Sequence, residues 1–517
     1  MLDLCAKAPT KALWARVMNA NLSGIMPQVV AVWCEEAGHD VRYSTYTGFE
    51  DLMAELPADL DVVFISAFTH CALLAYALSC LFRQRGTVTV LGGPHARSYP
   101  DDAVRHFDYV LGLTDKALMR EILGDLRPRR PVGIYRSAPR QPDSLPGVRE
   151  RWKFIKQNHA KTPSFFRVVP MLGSLGCPYS CSFCIDGSVE YQPLGFDQLR
   201  EDLTFLSREM PGATLGWHDP NFGVRFNDYL DTIEQAAPPG TFRHIAESTL
   251  SLLSEPNVKR LTRAGFKGLL PGIESWYDLG NKSKTGSATG ADKVDRVSDD
   301  LNMILRHVPY VQSNFVLGLD ADEGDGPFEM TKRFLDRVPG TFPGFSLLSA
   351  FGESAPSNLE LQREGRVLPF PFHFLNNNKA MNVRPKNYSW PDFYDRVIDL
   401  TEYAVSPKRM LRRFGATRLY TSRWINLIRA LSSEGRGRIR NYTAIRGLLD
   451  TDRGFRAFFE GETTTVPDFY MDTIRQNLGP FFALLPAAAM EYDANAYLRK
   501  TVAAPIGSPA AESGRLG

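Results

Sequence analysis

Short apolar runs separated by longer stretches of mixed polarity recur along most of the chain. Residues 40–45, 61–66, 87–91 and 109–113 are compact runs of apolar and β-branched side chains bounded by Gly, Pro or charge. They predict strands, and residues 11–17 read as one more. Between them lie helical stretches, such as residues 24–37, which Gly38 stops. This βα alternation predicts a doubly wound parallel sheet, whose ligands bind at the carboxyl ends of its strands. Ser66, Thr69 and His70 fall at one such end, and Gly92-Gly93-Pro94-His95-Ala96 at another. Gly92 and Gly93 would allow a close backbone approach or a turn with positive φ.

Past a Pro- and Arg-rich connector at 127–146, read as an extended crossing segment, the alternation resumes. Residues 167–172, 213–218, 242–247, 266–273, 310–317 and 345–351 predict six strands. Helical runs separate them: Phe196, Leu199, Leu203 and Leu206 recur at steps of three and four, as do Val294, Val297, Leu301, Ile304 and Leu305. Chemistry is expected again at the strand ends. After residue 351 the pattern changes to Pro-rich loops and helices, including one at 392–404.

Composition narrows the picture. A chain of 517 residues holds several domains with ample core. Lys and Arg number 60 against 58 Asp and Glu, a balance in which nothing global argues for nucleic acid or an anionic membrane as a partner. Residues 62–82 carry no charge and are as long as a membrane span, but they divide into a strand, a polar turn and a buried helix. No membrane span is expected, and the first ten residues are too poor in apolar side chains for a signal peptide. Of seven cysteines, Cys5, Cys34, Cys71 and Cys80 are scattered, which is no disulfide framework and suits a reducing cytoplasm.

The other three cysteines are Cys177, Cys181 and Cys184, in the loop Gly176-Cys177-Pro178-Tyr179-Ser180-Cys181-Ser182-Phe183-Cys184. Clustered thiolates suit zinc or iron–sulfur chemistry. Structural zinc closes its shell with four ligands, and no fourth Cys or His lies close by in sequence. A [4Fe–4S] cluster on three cysteines keeps one iron open. With Phe183 before the last cysteine, the loop resembles that of the radical S-adenosylmethionine superfamily. The resemblance implies an open (β/α)6 barrel and a cluster whose unique iron chelates S-adenosylmethionine, cleaving it to methionine and a 5′-deoxyadenosyl radical.

It also implies roles at the strand ends. His218-Asp219-Pro220-Asn221-Phe222 is similar to a D-x-N-F element of cobalamin-linked members, and Gly272-Ile273-Glu274-Ser275 to a G-I-E-S element. Asp219 and Glu274 are the catalytic candidates, Asp219 being equally suited to capping the next turn. Phe183, Glu247, Ser248, Gly272, Glu274, Ser275, Asn314 and Gly318 are the candidates for holding S-adenosylmethionine. Lys282, Lys284 and Thr285 read as a solvated basic loop, the alternative being a loop that covers the active site or touches an anionic substrate.

The N-terminal pieces resemble a cobalamin-binding domain, on Glu35-Glu36-Ala37-Gly38-His39-Asp40-Val41, the strand before Gly92-Gly93-Pro94-His95, and Phe107-Asp108-Tyr109-Val110. The loop at 18–28 lacks the D-x-H-x-x-G motif that supplies a cobalt ligand. Ser66, Thr69, Gly92, Gly93 and His95 are the candidate cobalamin contacts, with His70 and His95 read as hydrogen-bonded loop histidines rather than cobalt ligands.

The expected organisation is α/β. A cobalamin-binding-like domain at 1–140 with a linker to about 165 precedes a radical barrel at 166–350. A mainly helical lid or substrate domain follows at 351–505, then a disordered tail at 506–517. The lid would bring Phe370, Phe372, Phe374, Tyr388, Trp390, Phe393 and Tyr394 to the barrel mouth. The expected activity is cobalamin-dependent methylation of an unactivated carbon in a small-molecule substrate, with electrons from a flavodoxin or ferredoxin. A radical oxidoreductase, cyclase or rearrangement enzyme is the alternative. An RNA-modifying enzyme is disfavoured by the charge balance and by the lack of a second cysteine cluster. A non-catalytic iron–sulfur protein is disfavoured by the strand-end elements.

Overall fold

The computed structural model describes residues 1–369 and 380–491. Phe370, Phe372, Phe374 and the tail at 506–517 lie outside the described residues.

The first sheet contains β1 (Leu2–Leu4), β2 (Ser44–Tyr46), β3 (Val62–Ala67), β4 (Val88–Gly92), β5 (Tyr109–Leu111) and β6 (Ile134–Arg136). Its order is β2-β1-β3-β4-β5-β6 and every pair is parallel. The strands alternate between two buried faces. Val63 and Ile65 enter one core, while Phe64 and Val90 join Ile25, Trp33 and Ile122 in another. This order reverses direction between β1 and β3, which opens a crevice at their carboxyl ends.

Two expectations fail in this sheet. Residues 11–17 are not a strand: Leu13–Met18 is a helix, and Leu13 is 84% exposed. The true first strand, Leu2–Leu4, is buried throughout but only three residues long. The connector read as a crossing segment contributes β6, a largely exposed edge strand.

The second sheet starts with β7 (Val168–Met171). A small antiparallel ribbon follows, β8 (Ser174–Leu175) with β9 (Gln192–Pro193). Then come β10 (Thr214–Trp217), β11 (Arg243–Thr249), β12 (Phe266–Glu274), β13 (Tyr310–Leu317) and β14 (Phe342–Leu347). The order β14-β13-β12-β11-β10-β7 is wholly parallel and sequential, and β7 and β14 are not paired, so the barrel stays open. Helices Phe196–Glu209, Gly290–Leu305 and Gly326–Arg337 are among those covering it. The uncharged run at 62–82 resolves into β3, a short turn and the buried helix Ala72–Gln84. No helix among the described residues is long and apolar enough to cross a membrane.

The rest is mainly helical. Trp390–Ala404 packs against Arg436–Thr451, and Trp390 Nε1 donates to the Phe459 carbonyl at 2.7 Å. Trp390, Phe393 and Tyr394 are fully buried, so these aromatics are core. One continuous apolar core runs from Tyr76 and Phe107 through Val169 and Phe315 to Tyr394 and Tyr442.

Candidate active site

The three-cysteine loop is pinned at several points. Gly176 has φ +65°, and a Cβ there would stand 2.1 Å from the Glu190 carbonyl oxygen; at Gly187 it would stand 2.3 Å from that of Cys181. Only glycine fits either position. Within the loop, the Cys184 amide donates to the Cys181 carbonyl at 3.1 Å, and Tyr179 Oη shares a hydrogen bond with Ser251 Oγ at 2.8 Å. From outside, the Ser357 amide donates to the Ser182 carbonyl at 2.9 Å, and Arg97 Nη2 to that of Ile185 at 3.1 Å.

The loop closes one side of a hollow at the carboxyl ends of β10 to β13. Cys177, Cys181 and Cys184 line it together with Glu247 and Ser248 from β11. Gly272 and Glu274 from β12, Asn314 from β13, Asn221 after β10 and Lys282 are also in the wall, and neither side-chain polar atom of buried Asn221 has a hydrogen-bond partner among the described residues. Residues far apart in sequence thus converge because parallel strands deliver their ends to one rim.

Glu274 occupies the left-handed region at φ +64°, where β12 breaks register with β13. Its Oε1 accepts from Lys282 Nζ at 2.6 Å, and both side chains are largely buried. Lys282 is therefore part of the hollow's wall rather than a solvated loop residue; Lys284 is exposed and Thr285 buried. Burial alone would lower the Lys282 pKa, but the Glu274 carboxylate outweighs it and holds the ammonium above its ordinary value. Burial also raises the Glu247 carboxyl, and the negative charge of Glu274 raises it further. All three thiols are pushed up by burial, Cys184 to about 11, with Lys282 opposing.

Several anticipated contacts go elsewhere. Asp219 does not line the hollow: it is 1% exposed and accepts from the Gly173 amide at 3.0 Å and Ser174 Oγ at 2.6 Å. Burial pushes its pKa up to about 6. It anchors the start of the cysteine loop, a positioning role rather than a catalytic one. Ser275 is buried and its Oγ accepts from the Tyr277 amide at 3.1 Å, bracing the turn after β12. Gly318 has φ +85°, and a Cβ there would meet the Phe393 ring at 3.0 Å, so its close neighbour is a helix and not the hollow. Phe183 is half-buried against the core.

At the first sheet, Gly92 ends β4 with open space where a Cβ would point. Gly93, at φ +90°, is tight against Ala67, whose backbone N and O would lie 3.0 Å from its Cβ. Ser66 and Thr69 are half-buried at the end of β3. His95 turns inward: it is wholly buried, and its Nε2 lies 2.7 Å from Tyr76 Oη, which donates to Asp102 Oδ2 at 2.6 Å. Burial lowers its pKa to about 3. His95 is thus removed from the cofactor contacts. His70 stacks on Phe68 at 5.8 Å, and burial lowers it to about 4.

The donor set fits a cluster better than a lone ion. Among the described residues no three His, Cys, Asp or Glu side chains are gathered tightly enough to hold a metal ion. Yet three soft thiols share one wall beside a cation, and an iron–sulfur cluster needs thiolates spread around a larger body. At the first sheet, the open space above Gly92 suits a bulky ligand resting on the strand ends.

No protein-family model matches the chain. Over 299 residues it is 25% identical to bacteriochlorophyllide d C-12(1)-methyltransferase of Chlorobaculum tepidum, which covers 56% of this chain and 64% of that protein. Over 257 residues it is 25% identical to bacteriochlorophyllide d C-8(2)-methyltransferase of the same organism, covering 47% and 56%. The chain spans less than two thirds of the length of either relative. Among solved structures it is similar to the cobalamin-dependent S-adenosylmethionine radical enzyme OxsB with aqua-cobalamin and S-adenosylmethionine bound. The TM-score is 0.50 at 12% identity, over 94% of this chain and 84% of that one. The fold is that of the cobalamin-dependent radical S-adenosylmethionine enzymes. In sequence, the chain is a distant relative of methyltransferases that act on a bacteriochlorophyllide.

Proposed function

We propose that the protein is a radical S-adenosylmethionine enzyme that methylates an unactivated carbon of a small-molecule substrate with the help of cobalamin. The observation that carries this reading is the hollow itself, where three thiols meet two carboxylates, two amides and an ammonium at the strand ends. Cys177, Cys181 and Cys184 would hold a [4Fe–4S] cluster. Ser66, Thr69 and Gly92 would contact the cobalamin, without a histidine from the His95 loop. When bound, the cluster supplies the electron that splits S-adenosylmethionine into methionine and a 5′-deoxyadenosyl radical, and cobalamin supplies the transferred methyl group.

The chain's own residues bind and orient. Glu247 and Glu274 offer carboxylates to the ammonium of S-adenosylmethionine, and Lys282 offers a cation to its carboxylate, through charge-assisted hydrogen bonds. Ser248 and Asn314 offer polar contacts on the same wall. Holding donor and substrate in line within a closed hollow is the protein's main contribution.

In this reading residues 1–140 carry cobalamin, 166–350 the radical chemistry, and the helical region after 351 reaches the carboxyl end of β13 through Met381 and Phe393. The relatives' names support a natural-product substrate. A flavodoxin or ferredoxin would deliver electrons in the reducing cytoplasm.

Anaerobic reconstitution with iron, sulfide and hydroxocobalamin, followed by desalting, tests the proposal. About four irons per chain, retained cobalamin and reductant-dependent 5′-deoxyadenosine are the expected result. Deoxyadenosine without cobalamin would overturn methylation through cobalt in favour of a radical oxidoreductase. A Cys177→Ala, Cys181→Ala, Cys184→Ala variant that kept its iron would overturn the whole reading.

A further inference from the structure

Residues 403–433 contain seven Lys or Arg and no Asp or Glu. They include the helices Pro407–Ala416 and Tyr420–Leu431. These pack beneath the barrel, at the amino-terminal ends of β13 and β14. Arg413 Nε donates to the Thr341 carbonyl at 2.8 Å, and the Arg429 guanidinium lies 4.2 Å from the centre of the Phe342 ring.

The second helix is arranged the wrong way round for a helix facing water. It turns Ser422, Asn426 and Ala430 inward, where all three are buried. Outward it presents Tyr420, Trp424, Ile428 and Leu431, at steps of four, four and three, which are 65%, 43%, 41% and 45% exposed. Leu411 on the preceding helix and Leu419 in the turn between add two more exposed apolar side chains. Lys408, Arg412 and Arg418 are exposed on the same two-helix unit. At the far end, Trp14 Nε1 donates to Glu434 at 3.0 Å and brings in the helix that carries exposed Leu13.

We infer that this two-helix face docks on the surface of an anionic lipid bilayer. An apolar stripe containing Trp and Tyr, within a segment of only positive charge, matches a membrane interface on both counts: rings and aliphatics enter the headgroup boundary, and cations meet lipid phosphates. The helices are too short and too polar to cross, so the chain lies on the bilayer. A nucleic acid would use the cations but gain nothing from Leu411, Ile428 and Leu431. A protein partner would want fewer cations at the core of its interface. Because the face lies under the barrel, docking leaves the cysteine-lined hollow at the opposite strand ends free.

Flotation of the full chain with two sets of vesicles tests this. One set mixes phosphatidylcholine with phosphatidylglycerol; the other is phosphatidylcholine alone. The chain should float with the first set in low salt, and less in high salt or with the second. Trp424→Ser with Ile428→Ser, or Arg412→Glu with Arg418→Glu, should lower partitioning at least about tenfold. Trp424 and Ile428 are on the surface, while Arg412 pairs with Asp336 at 3.6 Å and Arg418 donates to the Arg306 carbonyl, so unchanged circular dichroism and Tm are the control required of each double variant. Equal flotation of wild type and both double variants would overturn the inference. So would a wild type that ignores vesicles but dimerises through these residues, or one that binds polyanionic nucleic acid with affinity untouched by the Trp424 and Ile428 changes.

Discussion

Arg97, in the short helix Pro94–Ser98 after β4, donates to the Ile185 carbonyl directly after the last cysteine of the loop, and its guanidinium lies 3.6 Å from the Asp186 carboxylate. The N-terminal region thus touches the cysteine loop through a side chain three residues beyond the end of Gly92-Gly93-Pro94. Ser98 Oγ, next in line, is 2.7 Å from Ser354 Oγ beyond β14. The two candidate cofactor sites share a joint.

Arg97→Ala should leave the fold nearly unchanged, since both partners of the ion pair are about a quarter exposed and such pairs contribute below about 1 kcal/mol. The loop, however, loses one of its outside anchors. Iron retained after desalting should fall severalfold while Tm moves little, and Arg97→Lys should recover part of the iron. Full iron retention in Arg97→Ala would deny the anchoring role.

Lys282→Met removes the cation between two carboxylates. Glu274 and Glu247 then face each other without compensation, and the S-adenosylmethionine carboxylate loses its partner. Hydrogen bonds to charged groups contribute about 1.5–3 kcal/mol, so binding should weaken about tenfold to a hundredfold. Equilibrium dialysis on the reconstituted protein checks this, with iron content as the control for the cluster.

Asp219 gives a pH signature with a definite sign. Burial raises its folded pKa from 3.8 to about 6, so the folded state binds the proton more tightly than the unfolded chain. Its contribution to stability is fullest below the unfolded value and is lost as pH rises through about 6. Asp219→Asn should flatten that part of the stability profile, as urea unfolding across this window would reveal. Asp219→Ala should cost about 1–3 kcal/mol by leaving the Gly173 amide and Ser174 hydroxyl without their acceptor.

Adjacent glycines should behave oppositely. Gly93→Ala places a Cβ 3.0 Å from the Ala67 backbone at φ +90° and should destabilise by about 1–3 kcal/mol. A Cβ at Gly92 meets nothing within 4 Å, so Gly92→Ala should hold stability while cobalamin retention falls. Thermal denaturation and cobalamin absorbance separate the two effects.

The sequence was most readable where burial is periodic. β13 (Tyr310–Leu317) is legible over its full length because buried and half-buried positions alternate along it, with Val311, Phe315 and Leu317 on the buried face. Leu2–Leu4 was missed because three residues leave no periodicity to read. Residues 11–17 misled because their apolar side chains are good helix formers, so the same run serves a helix. At the site, the loop cysteines were legible from spacing alone. Lys282 was not, because its partner Glu274 meets it only after the chain folds back over the hollow. His95 reads as a cofactor contact from its loop alone, yet Tyr76, nineteen residues earlier, draws it inward. The neighbour of Gly318 is Phe393, on a helix whose packing no local pattern announces.

The continuous core that joins both sheets to the helical region makes the molecule one thermodynamic body. Binding at any point favours the folded state as a whole, by an amount set by ligand concentration over its dissociation constant. Loading the cysteine loop should therefore protect slow-exchanging amides in β3 and β4, on the far side of the joint. Heating should give one calorimetric peak that moves upward as each cofactor is added, rather than separate peaks that move independently.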